Sequence, residues 1–176
     1  HGTHTECVGH ITQTFHSINN ALERFFFTAE LITVAPGASG ADFVISKKQL
    51  EYALKERTPE AVVIRTLPND TSKLSRQYSH TNPPYFTEAA AVYLREAGIM
   101  HLLTDLPSID KEKDEGKLLA HKAFWDVHGA IRTAATITEL IYVPNAVKDG
   151  SYLLNLHIAP FENDAAPSRP VLYKIL

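Results

Sequence analysis

The sequence predicts a single α/β domain with a mixed β-sheet and flanking helices, and three observations carry that expectation. Apolar, β-branched runs alternate with amphipathic stretches between Phe25 and Leu103, in the order strand, helix, strand, helix, strand. Three more strand-like runs follow late in the chain, which favours a mixed sheet over a purely parallel one. At 176 residues there is room for one compact core but not for two ordinary ones, so residues 1–176 read as one domain.

Each element has its own reason. Phe25–Val34 is dense in aromatic and β-branched residues and closes on Pro36-Gly37, the pattern of a strand and its turn. Ser46 opens a helix over Lys47–Glu56, with Leu50, Ala53 and Leu54 along its apolar face and Gln49 at capping-box distance from Ser46. Ala61–Thr66, bounded by Pro59 and Pro68, reads as a buried strand, and Asn69–Pro84 as a long polar loop. Thr87 caps a second helix, Glu88–Ala97, which Gly98 ends; Ile99–Leu103 is the next strand. Asp110–Glu115 mixes both signs of charge and reads as a solvated loop or helix start. Lys117–Trp125 is a short helix, and Ile137–Val143, Tyr152–Ile158 and Val171–Ile175 are the late strands.

Composition excludes several classes of function. The hydrophobic fraction of 44% and charged fraction of 21% are those of a globular protein. A net charge of −3, with no basic stripe, argues against nucleic acid as a partner. No apolar run approaches the ~18 residues needed to cross a bilayer, so no membrane association is expected. The lone Cys7 cannot form an internal disulfide, which suggests a cytoplasmic setting; the chain starts without Met, and a removed leader is the alternative.

The chemistry concentrates at the start. His1, His4, Glu6 and His10 fall within eleven residues, and imidazole with carboxylate is the ligand set of zinc and related divalent metals. The Gly2-Thr3 step suggests one tight loop presenting them. His1 alone is open to reading as a tag or cut-site remnant. Cys7 is either a soft ligand or a small buried residue beside the site. Among the remaining histidines, His16 reads as second shell or surface, His80 as surface, and His101 and His157 as strand residues. His121 and His128 follow the Pro-containing turn Asp105–Asp110 at a strand end, where α/β folds place their sites. Glu139 stands in an otherwise apolar strand, as a metal ligand or as partner to an arginine such as Arg132.

Together these segments resemble the bacterial cyclase-like family of metal-dependent amidohydrolases that includes kynurenine formamidase. Its opening motif, His-x-Gly-Thr-His-x-Asp-x-x-x-His, is matched from Gly2 to His10 with Glu6 in the Asp position. Its Asp-x-Pro-Ser-x-Asp motif and Ala-His step appear as Asp105–Asp110 and Ala120-His121, and its Glu-Leu as Glu139-Leu140. Ile158–Phe161 and Asp164–Val171 are similar to its closing turn and last strand.

The resemblance implies that His4, Glu6, His121 and Glu139 are metal ligands, with Glu6 able to bridge two ions, and that His10 is the catalytic acid/base. It implies one or two divalent ions, zinc first and manganese second, and hydrolysis of a small amide, formamide or cyclic amide or ester by a metal-activated water. Three features depart from the family pattern. Its first histidine lies four positions before His4, whereas His1 lies three before it. Glu6 is one methylene longer than Asp, and the interval from His121 to Glu139 is long, with His128 inside it. These point to a diverged subfamily acting on a small-molecule substrate. The alternative is a metal- or ligand-binding protein on the same fold that has lost catalysis. A homo-oligomer is expected from the same resemblance, with Phe25–Phe27 as interface or plain core.

Overall fold

The computed structural model describes residues 2–175; whether His1 is a ligand lies outside the described residues. In chain order the strands are β1 (His4–Glu6), β2 (Phe26–Val34), β3 (Gly37–Ser39), β4 (Asp42–Ile45), β5 (Ala61–Thr66), β6 (Tyr85–Phe86), β7 (His101–Thr104), β8 (Thr136–Glu139), β9 (Gly150–Asn155), β10 (Ala165–Pro167) and β11 (Val171–Lys174). The helices are α1 (Ile18–Ala21), α2 (Lys47–Leu54), α3 (Glu88–Glu96) and α4 (Leu119–Trp125). Eight strands form one mixed sheet in the order β10-β1-β8-β7-β5-β2-β9-β11. Its centre, β8-β7-β5-β2, is parallel, and antiparallel strands flank it: β1 and β10 on one side, β9 and β11 on the other. A second, three-stranded sheet joins β3, β4 and β6.

The central strands are buried on both faces, which is why β5 reads as a continuous apolar run rather than an alternating one. Val62, Ile64, Leu102 and Ile137 point to one face and pack under Leu50 and Leu54 of α2, Leu94 of α3, and Phe124 and Trp125 of α4. Leu31, Val63 and Leu103 point to the other and meet Leu154, Leu156, Ile141 and Val143. Among the described residues no helix is long and apolar enough to cross a membrane.

Local chemistry sets the helix boundaries. At α2 the Ser46 hydroxyl accepts from the Gln49 N–H, and the Gln49 side chain accepts from the Ser46 N–H, completing the capping box. Thr87 caps α3 by accepting from the Ala90 N–H, and Gly98 takes the left-handed φ of +79° that ends it. α4 starts later than the sequence suggests because the Asp114 carboxylate ties the Gly116 and Leu118 N–H groups into a turn.

Several boundaries differ from the sequence expectation for identifiable reasons. Ile99 is not in β7; its N–H bonds the Leu94 carbonyl and closes α3. β8 stops at Glu139, because Leu140 turns at φ 55° and the Ile141 N–H bonds the Thr104 carbonyl across the end of β7. The loop after β5 holds a 3-10 turn, Thr71–Leu74, clamped by the buried Lys73 ammonium, which lies 2.7 Å from Asp105 and 2.6 Å from the Thr66 carbonyl. Asp110–Glu115 is only partly solvated. Asp110 is buried, Lys111 pairs with Asp42, and Glu112 accepts from the His80 and Asn82 N–H groups. Phe27 is core, while Phe25 and Phe26 are exposed and meet the His157 ring edge-on.

Candidate metal and acid–base site

The opening His/Glu cluster is a strand, not a loop. Residues two apart in a strand point the same way, so β1 sets His4 and Glu6 on one face. Antiparallel pairing places His4 opposite Glu139 and Glu6 opposite Ile137, which brings Glu139 onto the same face. β1 itself is held by hydroxyls: Thr5 Oγ1 lies 2.8 Å from Thr138 Oγ1 on β8 and 2.9 Å from Ser168 Oγ just beyond β10.

Ligand atoms of His4, Glu6 and Glu139 all lie within 4.8 Å of one another. The His4 Nε2 atom is 3.8 Å from a Glu6 oxygen and 3.7 Å from a Glu139 oxygen. α4 delivers His121, whose Nε2 is 3.0 Å from Glu6 Oε1 and 3.7 Å from Glu139 Oε1. The chain leaves β1 through a 3-10 turn, Val8–His10, which swings His10 back until its Nε2 is 3.5 Å from Glu6 Oε2. His10 stands at the exposed rim, whereas Glu6, Glu139 and His121 are buried.

Two aspartates that sequence reasoning left out of the site support these histidines. Asp110 accepts from the Ala120 and His121 N–H groups at the start of α4 and lies 2.6 Å from His121 Nδ1. One carboxylate thus fixes both the helix and the imidazole. Asp164, just before β10, lies 2.8 Å from His10 Nδ1. Both stand within motifs that the family resemblance covers, but only their long-range contacts reveal what they touch.

The buried groups shift one another's protonation. Burial pushes the Glu139 carboxyl up, and the neighbouring Glu6 charge pushes it further. Burial acts the same way on Glu6, but hydrogen bonds from His121 and His4 outweigh it and hold that carboxyl down. On His121 burial opposes the charged form, yet Asp110 and Glu6 raise its pKa to about 10. Two buried carboxyl groups, His121 and the half-buried His4, whose pKa the Glu6 hydrogen bond also raises, therefore hold protons among them in place of a cation. A divalent cation among His4, Glu6 and Glu139 would take the place of those protons, and imidazole with carboxylate is a suitable donor set. The residues present fit such an ion.

The other candidates fall elsewhere. His128 is exposed, so it is His121 that joins the cluster. Arg132 is not the partner of Glu139; it donates to the Phe124 and Ile99 carbonyls, and Glu139 accepts from the Ile109 N–H at 2.9 Å. Cys7 is fully buried with its thiol donating to the His16 carbonyl. His101 is core, with Nδ1 2.9 Å from Thr136 Oγ1 and its ring against Phe27.

A family model described as "Putative cyclase" matches residues 1–111. The chain belongs to the cyclase family. Solved structures share its fold at low identity. A potential metal-dependent hydrolase with cyclase activity is 18% identical, with a TM-score of 0.74 over 97% of this chain and 77% of the other. A predicted metal-dependent hydrolase from Bacillus stearothermophilus is 22% identical, with a TM-score of 0.65 over 97% and 75%. Isatin hydrolase A from Labrenzia aggregata, bound to benzyl benzoate, is 17% identical, with a TM-score of 0.68 over 98% and 72%. No curated protein matches the chain in sequence. The cyclase-family model ends at residue 111, so it covers His4, Glu6, His10 and Asp110, while His121, Glu139 and Asp164 join them only through the fold.

Proposed function

We propose that this cyclase-family chain is a metal-dependent hydrolase of a small amide, formamide or cyclic amide or ester. The observation that carries the reading is the gathering of His4, Glu6 and Glu139 ligand atoms within 4.8 Å of one another, with His121 from a third stretch of sequence against both glutamates and a rim histidine beside them. The solved neighbours, among them isatin hydrolase, support the reaction class. Zinc is the proposed ion, with manganese as the alternative, and His4, Glu6, Glu139 and His121 would hold it. When bound, it supplies a Lewis acid and lowers the pKa of water towards ~7.

The chain's own residues do the rest. Asp110 holds His121 by Nδ1 and turns Nε2 towards Glu6 and Glu139. Burial of both glutamates keeps bulk water from competing for their oxygens. His10, exposed enough to reach a bound substrate and 3.5 Å from Glu6, takes a proton from the attacking water at Nε2 and returns it to the leaving nitrogen or oxygen.

The test is metal content per chain in protein purified without a His-tag, with His4→Ala and Glu6→Ala alongside, followed by turnover of isatin and a simple formanilide. The expected result is stoichiometric metal in the wild type, loss in both variants, and cleavage of at least one probe. Metal without turnover of any amide or ester would leave a binding protein on this fold. A wild type that takes up no metal would end the hydrolase reading.

A further inference from the structure

His10 is held at one end of its ring and faces the site with the other. Nδ1 meets Asp164 Oδ2 at 2.8 Å, a hydrogen bond, while Nε2 faces Glu6 at 3.5 Å, beyond ordinary hydrogen-bond length. The backbone around the pair is fixed independently. The Cys7 N–H bonds the Asp164 carbonyl at 2.9 Å, the Ile18 N–H bonds the Asn163 carbonyl at 2.8 Å, and Glu6 pairs with Ala165 in the β1–β10 ladder. The 3-10 turn bearing His10 is equally tight: a Cβ on Gly9 would lie 2.3 Å from the His16 carbonyl oxygen. Neither the aspartate nor the imidazole is therefore placed by chance contact of two loose side chains.

We propose that Asp164 is the positioning residue of His10. A carboxylate can only accept, so it selects the form of the ring that carries hydrogen on Nδ1. That leaves the Nε2 lone pair directed at the site, in the state needed to take a proton, and holds the ring in that direction. The proposal rests on the reading of His10 as the proton-transfer group. It assigns the closing stretch before β10 a part in the chemistry that the ligand set alone does not require.

The test reads the ring directly. Zinc-loaded, 15N-labelled protein gives the His10 tautomer from long-range 1H–15N correlation spectra, with His10→Gln identifying the signals. The expected wild-type form carries hydrogen on Nδ1. Asp164→Ala is expected to lose that preference, keep its metal content and thermal midpoint, and lose about 10²-fold in kcat on the amide probe with little change in KM. Asp164→Asn keeps the size but offers a weaker acceptor, so its tautomer preference and kcat should fall between the two; it also serves if the alanine variant folds poorly. An unchanged tautomer in both variants would overturn the proposal, as would loss of metal or stability with the tautomer intact. A wild type that cleaves no probe would count against the proposed function, while the spectra would still report on Asp164.

Discussion

Glu6 and Glu139 each break a local rule, since a carboxylate is costly to bury in a strand, and the cost is offset only where they meet His4 and His121. That breach made them visible in sequence: a charged residue in an apolar strand and a His/Glu spacing of two are both short-range signals. Asp110 and Asp164 gave no such signal, because an aspartate in a polar turn is ordinary and its partner lies far along the chain. His101 shows the same kind of breach with a different outcome. Burial lowers its pKa from 6.5 to about 4, so the unfolded chain takes up a proton at higher pH than the folded one. The stability this neutral ring contributes is whole above pH 6.5 and is lost as pH falls towards 4, by about 3 kcal/mol for a shift of that size. Urea unfolding of His101→Gln should therefore fall less steeply with pH across that window than the wild type; parallel curves would show that the ring is not the group responsible.

At the scale of elements, long periodic segments were legible and short ones were not. α2, α3, β2 and β5 carry enough residues for an apolar face or a β-branched run to stand out, and their caps lie in the sequence itself. β1 is three residues long and half of its interest is polar, so it reads as a loop until β8 and β10 are seen on either side. The three-stranded sheet was missed for the same reason; β6 has two residues and exists only by pairing with β4. Among the legible features the α2 capping box makes the cleanest quantitative test. Ser46→Ala removes the acceptor for the Gln49 N–H and should cost about 1 kcal/mol. The urea midpoint should drop while the slope of the transition stays the same; no drop would mean that solvent replaces the cap without loss.

For the whole molecule, fold class follows from pattern, but the full set of strands and their order do not, since no local signal says that β1 will slot between β10 and β8. That interleaving has a practical consequence. A protease cut in the exposed stretch 113–117 would divide the chain into one piece with β1, β2, β5 and β7 and another with β8, β9, β10 and β11. The pieces would remain laced together, because the junctions β10–β1, β1–β8, β8–β7 and β2–β9 each join one piece to the other. Trypsin-nicked protein should elute from a sizing column as one particle that keeps its metal, and the two pieces made separately should regain metal only when mixed. Separation of the nicked pieces without denaturant would show that the lacing is too weak to hold them. If it holds, neither piece is a module that can be moved to another protein alone, since His4, Glu6 and His10 come from one and His121, Glu139 and Asp164 from the other.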